Sequence, residues 1–173
     1  MDAPQNPAGA FTPEDGYGPQ RRDELIAVIE AAPAALRDAV AGLSEAHLDT
    51  RYRNWTIRQI VHHVADSHIN SYVRFKWALT EDVPTIKPYD EGRWAVLEDA
   101  RTGDVRLPLA FLEALHARWV QLLRSMTEAE FGRCFFHPET GQTVSLRAAL
   151  ASYAWHGRHH TAQIRWLRDQ RGW

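Results

Sequence analysis

A single cysteine, Cys134, stands among 173 residues, so neither a disulfide framework nor a thiolate metal cluster can organise this chain. No apolar run reaches the roughly 20 residues that cross a bilayer, and the N-terminus carries no secretory signal pattern. Neither sign of charge dominates. The 20 basic and 22 acidic side chains are interspersed and leave a net charge of -2. That balance offers no basic footprint for nucleic acid and no polybasic patch for a membrane. These absences predict a soluble cytoplasmic protein with neither as a partner.

What is present is material for one sizeable core, with 45% hydrophobic residues, seven tryptophans and nine histidines. Residues 1–20 hold Pro4, Pro7, Pro13 and Pro19 with Gly9, Gly16 and Gly18, which predicts an extended arm draped over the domain. Residues 21–173 then form one unit. From Arg21 to about Ala46, Leu25, Val28, Ile29, Leu36, Ala39, Val40 and Leu43 recur at helical spacing. Pro33 should kink that helix or divide it.

Thr56 and Gln59 have capping-box spacing and open a second helix ending near Thr80. The stretch after it contains Pro84, Pro88 and Gly92, predicting a long ordered loop or a short helix between loops. Pro108 suits the first turn of a third helix carrying Leu109, Leu112, Leu115, Trp119, Leu122 and Leu123. Thr127 to Phe131 fit one further turn, and CFFHPETGQTVSL reads as a small hairpin. Ser145 caps a last helix from Leu146 to about Arg168. The economical architecture is all-α: a four-helix bundle with a long connection between helices two and three and a small hairpin before helix four.

Six of the nine histidines fall in two short segments, HHVADSH (His62, His63, His68) and WHGRHH (His156, His159, His160). His156 and His160 are one helical turn apart, so both imidazoles can share one metal ion. On a helical wheel Leu146, Leu150, Tyr153, Ile164 and Leu167 define an inward face. His160 falls near its centre, His156 on its edge, and His159 points well away. In the second helix, His62 and His63 both lie more than a right angle from the apolar centre. His63 joins a polar stripe with Ser67 and Asn70, which either lines a cleft or faces water. His68 lies within the apolar face, so pattern alone favours His68 as a third ligand, with His63 behind it. The bland alternative is that inward histidines are hydrogen-bonded core residues.

The runs NWTIRQIVHHVADSHINSYVRFKWALTE, PTIKPYDEGRW, LHARWVQLLR, FHPETG and YAWHGRHHTAQI, in that order, resemble the YfiT-like metal-dependent hydrolases of the DinB superfamily. The resemblance covers roughly residues 20 to 173. It implies a four-helix bundle, usually dimeric, with one divalent metal held by three histidines from two helices. Carried over, these are His63, His156 and His160, which overrules the wheel's preference for His68.

All-histidine ligation suits zinc, nickel, copper or iron(II), and three protein ligands leave positions open for water or substrate. Zinc or nickel, one ion per subunit, is the expectation. Hydrolysis of a small-molecule substrate by an acidified water is the reaction most directly implied. Transfer of a low-molecular-weight thiol such as bacillithiol to an electrophile is the alternative, since a metal also deprotonates a thiol. A non-catalytic metal-binding stress-response protein is the third reading.

No general base is evident, because Gly157 follows His156 where zincins carry glutamate. Asp66, one turn from His63, and Tyr153, one turn before His156, are the weak candidates for proton transfer, against a solvated carboxylate and a core tyrosine. Arg158 and Arg165 could meet an anionic substrate or simply face solvent. Asp90 and Glu91 either border the pocket or begin a short helix, and Cys134 reads as a packed thiol.

Overall fold

The computed structural model describes residues 2–173. Its first long helix, α1 (Pro19–Val40), opens on a proline, whose missing N–H has no intrahelical acceptor in the first turn. The helix stops short of the expected Ala46. Gly42 takes a left-handed φ of 76°, and Ser44 caps a separate turn, α2 (Glu45–Leu48). Pro33 lies buried within α1 and does not divide it. A two-residue hairpin follows that the sequence pattern did not signal, β1 (Arg51–Tyr52) with β2 (Trp55–Thr56). Helix α3 (Ile57–Thr80) then starts with the expected reciprocal cap: the Thr56 hydroxyl accepts from Gln59 N at 3.1 Å, and Gln59 Oε1 accepts from Thr56 N at 2.9 Å.

The long connection carries two short helices, α4 (Glu91–Trp94) and α5 (Glu98–Thr102). Helix α6 (Arg106–Ser125) begins two residues before Pro108, and α7 (Glu128–Phe131) supplies the further turn. The hairpin forms as β3 (Cys134–His137) and β4 (Gln142–Ser145), pairing Cys134 with Ser145 and His137 with Gln142. Helix α8 (Leu146–Arg171) is capped by Ser145 Oγ, which accepts from Ala148 N at 2.9 Å, and runs past the expected Arg168.

The long helices α1, α3, α6 and α8 form a four-helix bundle. They pack in the pairs α1–α8, α1–α6, α3–α6 and α3–α8, so α1 lies diagonally across from α3 and α6 from α8. Two apolar clusters divide the core. One holds Leu25, Ile29, Phe75, Trp119, Leu123, Leu146 and Leu150; the other holds Leu36, Ile57, Val61, Leu109, Leu112, Ile164 and Leu167. By that order α1 and α8 cross the layers in one sense, and α3 and α6 in the other. Because α3 and α6 run the same way, the chain must return the full length of the bundle between them, which is why the 81–105 connection is long.

That connection is tied to the hairpin: Ile86 N donates to the Phe136 carbonyl at 3.0 Å and Phe136 N to the Pro84 carbonyl at 2.9 Å. The N-terminal segment is likewise pinned. Tyr52 donates to the Pro4 carbonyl at 2.5 Å, Trp155 Nε1 to that of Gly9 at 3.0 Å, and Tyr17 to that of Arg147 at 2.6 Å.

Candidate metal centre

Imidazoles fill the level between the two apolar clusters. His63 from α3 and His156 and His160 from α8 each present one nitrogen, and these lie within 4.8 Å of one another. His63 Nε2 and His156 Nε2 are 3.2 Å apart, close to the ~3.3 Å between two imidazole nitrogens on a tetrahedral zinc ion. The structure thus brings His63, and not His68, to both members of the helical pair. His68 is wholly buried on the same helix and stands one ring further in.

Acceptors of unambiguous type set the tautomers. The Ile29 carbonyl can only accept, so His116 Nδ1, 2.5 Å away, carries the hydrogen. His116 Nε2 is then an acceptor, and His68 Nδ1 donates to it at 2.8 Å. His68 Nε2 accepts in turn from His156 Nδ1 at 3.1 Å. The lone pair of His156 Nε2 is left facing His63. His160 reaches the same state separately: its Nδ1 donates to Gln163 Oε1 at 2.8 Å, and the Gln163 amide donates to His159 Nε2 at 2.9 Å. A metal-ligating histidine whose other ring nitrogen is held this way keeps one orientation.

The rings are held neutral. Burial, aided by the neighbouring His159, lowers the pKa of His63 from 6.5 to about 4. Burial also lowers His116 to about 4, against the opposing bond to Ile29. His68, His156 and His160 lie well below the usual range, again from burial first and adjacent imidazoles second. Only a neutral imidazole offers a lone pair to a metal. Donor type, spacing and tautomer all fit a divalent ion.

His156 opens onto a cavity of about 640 Å³ that runs along α3 and is roofed by the long connection and the hairpin. Ser67, Arg74, Tyr89, His137 and Tyr153 are among its walls. On the other side, Trp55 packs its ring 4.5 Å from that of His63.

The DinB superfamily profile matches residues 9–164. The chain belongs to the DinB superfamily. It is 46% identical over 169 residues to the Bacillus subtilis protein named "Putative metal-dependent hydrolase YfiT", covering 96% of this chain and 95% of that one. A Bacillus cereus relative named in the same way is 50% identical over 169 residues, covering 96% of each. The solved structure of Bacillus subtilis YfiT superposes with a TM-score of 0.94 at 45% identity, covering 97% of both chains, and is described as "a probable metal-dependent hydrolase with an unusual four-helix bundle topology". The diagonal placement of α1 and α3 gives that description a physical content in this member.

The remaining candidates are distributed unevenly. Tyr153 lines the cavity, and its ring centroid lies 5.6 Å from that of His156. Asp66 is half-buried, and burial together with Asp99 raises its pKa to about 6; it makes no hydrogen bond to the three histidines. Asp90 both borders the cavity and caps α4, its Oδ1 accepting from Arg93 N at 2.9 Å. Glu91 lines the cavity too. Arg158 and Arg165 face a separate groove between α1 and α8, beneath Pro7 and Ala8, and so do not serve this site. Burial raises the pKa of the Cys134 thiol, which donates to the Gly132 carbonyl at 3.4 Å. His159, expected to point away, is buried and stacks on Trp155. His62 packs beside Gly103, outside the cluster.

Sequence pattern missed three contributors. Gln163 had a signal, lying three residues after His160. Arg74 had one as well, since it continues the His63–Ser67 stripe. His116 had none, being alone in its helix.

Proposed function

We propose that the protein is a metal-dependent hydrolase in which His63, His156 and His160 hold one divalent ion, zinc or nickel. The observation that supports this reading best is the convergence of three neutral imidazoles at the edge of a cavity, two of them oriented through their second nitrogen. A divalent ion there supplies Lewis acidity and lowers the pKa of a water toward neutrality. The chain's own residues do the rest. His68 and Gln163 hold the ligand rings, and Trp55 shields His63 from one side. Asp66, with a pKa near 6, is suited to accept a proton near neutral pH. Tyr153 is the group placed to pass a proton inside the cavity. The names of the Bacillus relatives point to the same chemistry.

A second reading is transfer of a low-molecular-weight thiol such as bacillithiol. One feature favours it: among the described residues no carboxylate joins the three histidines in the cluster. In either reading the substrate is a small molecule and not nucleic acid or membrane. The protein would be a cytoplasmic homodimer, with Leu107 and Phe111, exposed one turn apart on α6, as candidates for the contact. Among the described residues no helix is long and apolar enough to cross a membrane.

Metal analysis of the purified protein tests both readings. One divalent ion per chain is expected, lost in His63→Ala. Turnover of an ester, amide or lactone panel should disappear on chelation and return with metal. Metal-dependent consumption of a thiol by monochlorobimane, with no hydrolysis, selects transfer instead. A protein that takes up no stoichiometric divalent ion rules out both.

A further inference from the structure

We propose that Arg74 anchors an oxyanion, a carboxylate or phosphate, carried by the substrate at the end away from its reacting bond. The inference deepens the reading of the histidine cluster as the reaction centre and rests on it.

Helix α3 contains two buried arginines with opposite circumstances. Arg58, 3% exposed, is saturated: it donates to Asp49 at 2.9 Å, to the Gly103 carbonyl at 2.8 Å and to Glu45 at 2.6 Å. Arg74 is 8% exposed and lines the cavity, yet among the described residues it makes no hydrogen bond and no ion pair. Its guanidinium nitrogens are not among the fully buried ones, so they open into the cavity with no protein partner, and a planar five-donor fork matches a carboxylate or phosphate. His137 lines the same cavity, and its Nδ1 is buried without a partner. Its pKa is lowered by burial first and by the charge of Arg74 second. Two unmet nitrogen-bearing groups therefore share one chamber.

Position along the helix gives the shape of the ligand. Eleven residues separate His63 from Arg74, about three turns, so they share a face with Ser67 between them, some 16 Å apart along the axis. The cavity that Arg74 lines also reaches His156. A molecule held at both ends is elongated, its reacting group at the histidines and its anion at Arg74. The carboxylates of Asp90, Glu91 and Glu139 border the same cavity on exposed residues of the connection and the hairpin turn, whereas Arg74 is held on the helical wall as an unpaired cation. An anion binds on that wall, away from the three acids.

The test is calorimetric titration of the metal-replete protein with glutarate and, separately, with inorganic phosphate, using glutaramide as the uncharged control. At least one anion should bind saturably and glutaramide should not; the two arms tell a carboxylate site from a phosphate site. Arg74→Gln should weaken binding about tenfold or more, the loss expected of a charge-assisted pair, and Arg74→Lys should recover part of it. In the unmutated protein one [15N]arginine Nε–H resonance should move along the same saturation curve, which keeps the test alive if a variant misfolds. Arg74→Gln should weaken anion binding by the same factor in a His63→Ala background as in the unmutated one, since the anchor lies turns away from the ligand set and any anion held by the metal itself cancels in that comparison; the anchor can therefore fail while the metal site stands, and the reverse. Absence of binding by both anions at about 50 mM, far weaker than a useful subsite, overturns the proposal. So does unchanged affinity in Arg74→Gln, or an arginine spectrum that no anion moves.

Discussion

Pro33 and His116 meet at a carbonyl that the proline leaves free. Inside a helix the N–H of residue 33 would bond to the carbonyl of residue 29, and proline has no N–H to give. The Ile29 carbonyl instead accepts from His116 Nδ1 at 2.5 Å. That bond makes His116 Nε2 an acceptor for His68, and His68 an acceptor for His156. The chain of bonds touches α1, α6, α3 and α8 in turn. A residue expected to break a helix thus helps to orient a candidate ligand three rings away.

Replacing His116 by phenylalanine keeps a ring of similar bulk but strands two buried groups, the Ile29 carbonyl and His68 Nδ1–H. At about 1–3 kcal/mol for each unsatisfied group, the loss should be about 2–6 kcal/mol. Denaturant unfolding should show a lower midpoint at unchanged slope. A midpoint within error of the unmutated protein would sink the account of the Ile29–His116–His68 chain.

The fold was legible because its punctuation is local. Thr56 with Gln59, Ser145 with Ala148, and the Pro-Glu-Thr-Gly turn all act within a few residues, and each appears where the pattern puts it. The site was harder to read. A wheel presumes one buried face, but α3 is covered by α6, by α8 and by the connection with α4 and α5, so His62, His63 and His68 are all buried despite pointing three ways. The wheel's choice of His68 detected the interior but not the crease between α3 and α8, where His63 lies. The pairing of Pro33 with His116 spans more than eighty residues and leaves no trace in periodicity.

His68→Phe and Gln163→Ala each remove the acceptor that orients a candidate ligand ring while leaving all three candidate ligands in place. Metal affinity, measured by competition with a chelator, should fall about 10- to 100-fold in each, against complete loss of stoichiometric binding in His156→Ala. Unchanged affinity in both variants would show that packing alone aligns His156 and His160.

Acid should destabilise the metal-free protein in a defined window. His63 and His116 have folded pKa values of about 4 against an ordinary 6.5. At these two groups the unfolded chain binds more protons than the folded one between those values, so their contribution to stability is complete above about pH 6.5 and falls as the pH drops toward 4; Asp66, raised from 3.8 to about 6, works in the opposite sense and offsets part of the fall. Each group accounts for no more than about 3 kcal/mol across that window. In the presence of metal the same direction holds, since protons compete for the ligand nitrogens. Unfolding midpoints at pH 7.5, 6 and 5 check this, and a flat profile contradicts it. In His116→Phe the dependence should be shallower, because one of the buried histidines with a lowered pKa is gone.

Gly157 follows His156 at the position where a zincin carries its catalytic glutamate, yet it faces elsewhere. A Cβ built there meets Ala32 Cβ at 3.4 Å and His68 Cε1 at 3.5 Å, so the position points toward α1 and the flank of His68. These are ordinary contact distances. Gly157→Ala should therefore be tolerated, and the gain in helix propensity should leave stability unchanged or raised by up to about 1 kcal/mol, with metal affinity unaltered. Gly157→Leu must carry its side chain past Ala32 and His68 toward the groove that Gly157 lines, and crowding against His68 should cost about 1–3 kcal/mol and weaken metal binding by disturbing the His68–His156 bond. Gly157→Glu should bring no gain in hydrolysis, because its carboxylate would start out toward Ala32 and away from His63. Unfolding midpoints and chelator competition on the three variants separate these outcomes. A loss of more than about 1 kcal/mol in Gly157→Ala would mean that α1 and α8 approach too closely at this point to admit even a methyl group.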